Sequence, residues 1–105
     1  MKIQNTIALA LIASNFIGGS ALANSDLAKK NVCFACHIFD KKLVGPSFKD
    51  VAKKYADVPD AASQLAVSIK KGGAGKWGPV PMPPPAGLSD ADAKALAIWI
   101  LDGAK

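Results

Sequence analysis

The sequence contains no arginine and no glutamate, and it has one histidine and two cysteines among 105 residues. All thirteen basic residues are therefore lysine, and all eight acidic residues are aspartate. Arginine binds phosphate and guanine through bidentate hydrogen bonds, so its absence argues against nucleic acid as a partner. One histidine and two cysteines are also too few for a structural zinc site, which needs four ligands.

The sequence also lacks an apolar run long enough to span a bilayer near its start, where residues 7–17 are mostly apolar. Instead, Lys2, this short run and the small residues of Ala21-Leu22-Ala23 form the pattern of an export signal with its cleavage site. We expect residues 1–23 to be a cleaved signal peptide and residues 24–105 to form one domain in the periplasm, with no membrane span.

The domain left after cleavage is small, with 82 of the 105 residues. At that length a core of side chains alone rarely supplies more than about 3–5 kcal/mol, so some additional cross-link or bound group is expected to stabilise the fold. Its twelve lysines and eight aspartates give a net charge of +4. This charge favours contact with acidic surfaces, and the alternative is an ordinary solvated lysine face.

Hydrophobic spacing and capping residues predict an all-α domain with four helices and no strand. The first helix is expected to start at Asn24-Ser25-Asp26 and to continue towards Cys36. The second is expected from Ser47 to about Ala56, with Phe48, Val51, Ala52 and Tyr55 on one face. The third is expected to be capped by Asp60 and stopped by Gly72, with Ala61, Leu65 and either Ile69 or Val67 inward. The fourth is expected between a capping box at Ser89 and Asp92 and the terminator Gly103, with Leu96, Trp99 and Ile100 buried.

Residues 72–88 contain five glycines and five prolines and cannot form a helix. The segment does not fit a phosphate-binding loop, because Trp77 follows Lys76 where Ser or Thr is required. Five prolines also stiffen the chain beyond an ordinary flexible linker. Met82 lies between Pro81 and Pro83, so we expect the loop to hold this side chain still. A buried gap-filling methionine is the alternative.

Cys33-Phe34-Ala35-Cys36-His37 forms the sequence C-x-x-C-H, which is the attachment signature of c-type haem. The two thiols are expected one turn apart on a helix ending at His37, within reach of the two vinyl groups of one porphyrin. A thioredoxin-like dithiol would need a βαβ pattern, which the chain lacks. A disulfide between the two cysteines would close too small a loop to stabilise the fold much. A methionine opposite a histidine raises the reduction potential of a haem, so His37 and Met82 together describe an electron-transfer site.

At these residues the chain resembles the class I c-type cytochromes, and among them the small bacterial cytochrome c-551/c-552 type. The resemblance covers nearly the whole mature chain and rests on four blocks in the same order: residues 33–37, 44–50, 77–84 and 89–99. It implies one haem c attached through Cys33 and Cys36 and ligated by His37 and Met82. It also implies that the Pro46 carbonyl accepts a hydrogen bond from His37 and that the Trp77 indole donates to a haem propionate. An asparagine that follows the Met-Pro-Pro of this group is replaced here by Pro85.

With two axial ligands there would be no vacant position for a substrate, so we expect an electron carrier of the respiratory chain and not an enzyme. Its partners are expected to be redox proteins with acidic docking surfaces, and the carrier itself is expected to be a monomer. Candidate docking lysines are Lys41, Lys42, Lys70, Lys71 and Lys76. Two alternatives remain open: a haem-based sensor in which Met82 dissociates, and a peroxidase-like subunit.

Overall fold

Four α-helices, joined by turns and one long loop, make up the part of the chain that the computed structural model describes, residues 21–105. They are α1 (Ala21–Lys30), α2 (Phe48–Lys54), α3 (Ala61–Lys71) and α4 (Asp90–Leu101), and a short 3-10 helix (Cys33–Ala35) follows α1. Residues 21–105 contain no strand, only two isolated bridges, His37 with Lys42 and Gly73 with Met82. The prediction of an all-α domain is confirmed. The predicted signal peptide lies outside the described residues except for its last three.

The first helix differs from the prediction at both ends. Among the described residues α1 already includes Ala21, so Asn24 to Asp26 lie within its turns and do not cap it. The helix ends at Lys30 because Val32 adopts the left-handed conformation, with φ of 62°. Asn31 reinforces this end, since its backbone N–H and its side chain both donate to the Leu27 carbonyl, at 3.1 and 2.9 Å. The expectation of a helix continuing to His37 is therefore wrong: Cys33 lies in the short 3-10 helix, and Cys36 directly follows it.

The second and third helices lie close to the predicted ranges. The buried Ser47 side chain caps α2 by accepting from the Asp50 N–H at 3.0 Å. Asp60 precedes α3 but has φ of 57° and makes no side-chain cap, so that expectation is wrong. On α3, Leu65 and Ile69 are one turn apart and buried, whereas Val67 is 54% exposed. The inward side chain is therefore Ile69 and not Val67.

Helix α4 forms the centre of the domain, because α1, α2 and α3 all pack against it. It begins after Ser89, whose side chain accepts from the Asp92 N–H at 3.1 Å. Leu96, Trp99 and Ile100 are buried, as predicted, together with Ala93 and Ala97. The small Ala28 on α1 is fully buried where that helix crosses the core. No helix within residues 21–105 has the length and apolar content needed to cross a membrane.

Candidate functional site

A cavity of about 380 Å³ opens between the helices and the glycine- and proline-rich loop. This volume lies in the range of small-molecule and cofactor sites. Apolar side chains from all four helices line much of its wall. The six residues predicted to form the site all line this one cavity: Cys33, Cys36, His37, Pro46, Trp77 and Met82.

The cysteines lie on the tight turn that follows α1. His37 N–H donates to the Cys33 carbonyl at 2.9 Å, and the Cys36 N–H also points to that carbonyl at 3.2 Å. The turn therefore keeps both thiols and the imidazole on the cavity side. Neither thiol is in a disulfide. Burial raises the pKa of the Cys33 thiol, and the neighbouring Cys36 thiol adds to this effect.

The His37 ring is held on three sides. Its Nδ1 lies 2.7 Å from the Pro46 carbonyl oxygen, so a proton on Nδ1 is donated there and Nε2 keeps a free lone pair. The ring stacks on Phe48, with centroids 5.5 Å apart and planes at 29°. Gly45 lies against the ring: a Cβ at this position would be 2.5 Å from the His37 Cε1 atom. The imidazole therefore has little freedom to rotate.

Met82 is held through its backbone by the start of the same loop. Its N–H donates to the Gly73 carbonyl at 2.8 Å, and the Gly73 N–H donates to the Met82 carbonyl at 2.9 Å. The preceding Gly72 has φ of 61° and ψ of −154°, and a Cβ there would lie 2.2 Å from the Met82 carbonyl oxygen. The glycine pair therefore holds the Met82 backbone in addition to the prolines on either side of it.

Lysines and aromatic rings meet at the far end of the loop. Lys54 Nζ lies 4.3 Å from the centre of the Trp77 ring and donates to the Lys76 carbonyl at 3.1 Å. Lys76 Nζ donates to the Tyr55 hydroxyl at 2.7 Å. Burial alone would raise the pKa of Tyr55, but the hydrogen bonds with Lys76 and Ser68 and the two lysine charges outweigh it and lower that pKa.

These residues fit a covalently attached porphyrin. Two free thiols are available for thioether bonds, and the imidazole Nε2 and the Met82 thioether are donors that could bind an iron. The wall is mainly apolar, as a porphyrin ring requires. Polar side chains at the cavity include Lys42, Tyr55, Ser68 and Lys76. Within residues 21–105, no three His, Cys or Asp side chains come together as a separate metal site.

Sequence reasoning missed several residues that support the site. Phe48 and Tyr55 were assigned only to the core, although both also touch groups of the site. Gly45 and Gly72 gave no signal by themselves, because their importance depends on which atoms approach them in the fold. Of the five candidate docking lysines, Lys42 and Lys76 line the cavity, whereas Lys70 forms an ion pair with Asp90.

Comparisons with known proteins agree with this geometry. The family model of cytochrome c matches residues 23–104. Cytochrome c-552 of Nitrosomonas europaea is 60% identical over 85 residues, which cover 81% of this chain and 82% of that protein. Cytochrome c-552 of Hydrogenobacter thermophilus is 54% identical over 91 residues, or 87% of this chain and 92% of that protein.

Solved structures give the same result for the fold. The crystal structure of wild-type Nitrosomonas europaea cytochrome c552 superposes with a TM-score of 0.72 and 61% identity, covering 75% of this chain and 98% of that one. This chain therefore belongs to the cytochrome c family and is a small class I c-type cytochrome, an electron carrier with covalently attached haem c.

Proposed function

We propose that the protein is a periplasmic, single-haem electron carrier in which His37 and Met82 are the two axial ligands of the iron. The observation that carries this proposal is the His37 ring, whose Nδ1 is engaged by Pro46 at 2.7 Å. That contact leaves Nε2 as the donor in a cavity that Met82 also lines. When bound, haem c supplies an iron that alternates between the ferric and ferrous states.

Cys33 and Cys36 would attach the group as thioethers, and His37 would bind from the same turn. The Pro46 carbonyl fixes one tautomer of His37 and makes the ring a better donor, as outer partners of ligating histidines generally do. Stacking on Phe48 and contact with Gly45 would limit reorientation of the ring when the iron gains or loses an electron. A rigid donor set lowers the rearrangement that accompanies gain or loss of an electron.

Met82 would complete the coordination with a soft, neutral thioether, which favours ferrous iron. Two protein ligands leave no position for a substrate, so we propose that the protein is not an enzyme. The Trp77 indole is proposed to donate to a haem propionate. Its place on the cavity wall and the nearby Lys54 charge support this role.

The charge and the first residues of the chain support the proposed location and partners. Residues 1–23 are proposed to be a signal peptide that is removed on export to the periplasm. The mature monomer would exchange electrons of the respiratory chain with redox proteins that present acidic surfaces. Lys42 is the best candidate for steering them, since it lies at the cavity and is exposed.

Carbon monoxide distinguishes a carrier from a sensor. The mature holoprotein should show one reversible one-electron step by voltammetry. Its ferrous absorption spectrum should stay unchanged under carbon monoxide, because Met82 occupies the sixth position. A ferrous spectrum that changes with carbon monoxide would contradict the carrier and favour the sensor.

A further inference from the structure

The loop that carries Met82 folds back on itself as an arm. At its base, Gly73 and Met82 exchange two backbone hydrogen bonds, at 2.9 and 2.8 Å. At its tip, the Gly75 N–H donates to the Gly78 carbonyl at 2.8 Å and closes a turn around Lys76 and Trp77. Residues 73–82 are called the Met82 arm below.

The tip of the Met82 arm is held by α2 through two lysines that reach in opposite directions. Lys54, the last residue of α2, donates to the Lys76 carbonyl at 3.1 Å and lies over the Trp77 ring. Lys76 reaches back from the arm, donates to the Tyr55 hydroxyl at 2.7 Å and lies 5.0 Å from the centre of the Tyr55 ring. These four residues are called the lysine clasp.

The contacts of the lysine clasp are of kinds that stabilise a closed arm. Hydrogen bonds from an ammonium group are stronger than those between neutral groups, and a cation over an aromatic face adds a further attraction. The Tyr55 hydroxyl also lies 3.3 Å from the Ser68 Oγ of α3, so Lys76 is tied to two helices. Without the clasp, the tip of the arm would lose its side-chain contacts with the end of α2.

We propose that the lysine clasp positions Met82, with Lys76 and Tyr55 as positioning residues that keep the arm closed and the thioether at the sixth site. This inference rests on the proposed function, in which Met82 is an axial ligand. A closed arm excludes competing donors, because another ligand binds only in the fraction of molecules whose arm has opened. The apparent affinity for such a ligand is proportional to that open fraction.

Imidazole, titrated into the ferric holoprotein and followed by absorption, measures the open fraction. Tyr55→Phe and Lys76→Met each remove the same hydrogen bond. Each should raise the apparent association constant of imidazole by about twofold to tenfold, because Lys76 is exposed and solvent reduces this charged hydrogen bond to ordinary net strength. In the double variant the association constant should rise no more than in the more affected single variant, because both changes remove the same interaction.

Three further variants separate positioning from a general loss of stability. Lys76→Arg keeps a hydrogen-bond donor, so its imidazole affinity should stay close to that of the wild type. Lys71→Met removes a lysine from the end of α3 that does not line the cavity, and it should leave imidazole affinity unchanged. Ala93→Gly weakens α4 outside the cavity and the arm, and it should lower the unfolding midpoint without raising imidazole affinity.

The results either support or overturn the inference. Unchanged imidazole affinity in Tyr55→Phe and Lys76→Met overturns it, as does an equal rise in Ala93→Gly. A reduction potential that shifts in Lys76→Met while imidazole affinity stays constant also overturns it, because Lys76 would then act on the cofactor's charge and not on the arm. If the ferric wild type lacks a sulfur-to-iron charge-transfer band, the proposed function itself fails. If that band is present but the clasp variants show unchanged imidazole affinity, only the clasp proposal is refuted.

Discussion

Replacement of Gly72 by alanine tests the contact that places Met82. Gly72 ends α3 with φ of 61° and ψ of −154°, a region that almost only glycine adopts. An alanine Cβ would lie 2.2 Å from the Met82 carbonyl oxygen and 2.9 Å from the Pro84 nitrogen, both backbone atoms. Neither atom can swing away as a side chain could, so the Met82 arm itself must move.

The expected cost has two parts. Backbone strain at such a position costs about 1–3 kcal/mol. Displacing Met82 also breaks its two hydrogen bonds with Gly73, at about 0.5–1.5 kcal/mol each, or about 1–3 kcal/mol together. Gly72→Ala should therefore lose about 2–6 kcal/mol of unfolding free energy. The sulfur-to-iron band of the ferric protein should weaken at the same time, because the thioether moves with its backbone.

Gly87→Ala is the matched control. Gly87 also has positive φ, 73°, but a Cβ there would meet nothing within 4 Å. It should cost about 1–2 kcal/mol from strain alone and leave the sulfur band intact. Urea denaturation of both variants, with absorption spectra of the ferric forms, gives the comparison. Equal stability losses and intact bands in both variants would refute the claim that Gly72 makes room for Met82.

Three other perturbations test the histidine side, the helix contact and the docking surface. Gly45→Ala places a Cβ 2.5 Å from the His37 Cε1 atom and should cost about 1–3 kcal/mol of unfolding free energy with shifted His37 ring signals in NMR. The Lys70 hydrogen bond, helped by its charge, lowers the pKa of Asp90. Asp90→Asn should therefore destabilise the protein at neutral pH, and this difference should vanish as pH falls through the lowered pKa, which denaturation at several pH values measures. Lys42→Met should slow electron transfer to an acidic partner at 0.1 M salt, where the Debye length is about 10 Å, and should differ little from wild type at 1 M, where it is about 3 Å, as stopped-flow rates would show.

Each of these three predictions has an outcome that contradicts it. An unchanged unfolding free energy in Gly45→Ala would mean that the His37 ring is free to shift. Asp57→Asn serves as the control for Asp90→Asn. If stability depends on pH in the same way in both variants, the effect comes from the change in net charge and not from the Lys70 contact. Lys53→Met, on the exposed side of α2, is the control for Lys42. If electron transfer slows equally in both lysine variants, the steering charge is spread over the whole surface.

The sequence predicted the helices well where periodicity and capping agreed, as at α4 with Ser89 and its apolar stripe. It failed at the end of α1, because a left-handed valine is disfavoured by local preference and Val32 gave no sign of it. The prediction that Asp60 caps α3 failed for a related reason, since its positive φ turns the backbone away from the geometry in which an aspartate caps a helix.

The chemical residues of the site could be predicted because their spacing is specific, as in the sequence C-x-x-C-H. The residues that position them could not be predicted. Phe48 and Tyr55 have the spacing of core residues, and only the packed structure shows that they also contact His37 and Lys76. The antiparallel pairing of Gly73 with Met82 joins residues nine apart across a loop, which no periodic pattern indicates.

The most direct test of the account is the ferric absorption spectrum of the mature holoprotein beside that of Met82→Ala. We expect a low-spin wild type with a sulfur-to-iron charge-transfer band. In Met82→Ala that band should be absent, haem should remain attached through Cys33 and Cys36, and the reduction potential should fall. Val80→Ala, in the same arm, should keep the band. A band that survives in Met82→Ala would contradict ligation by Met82.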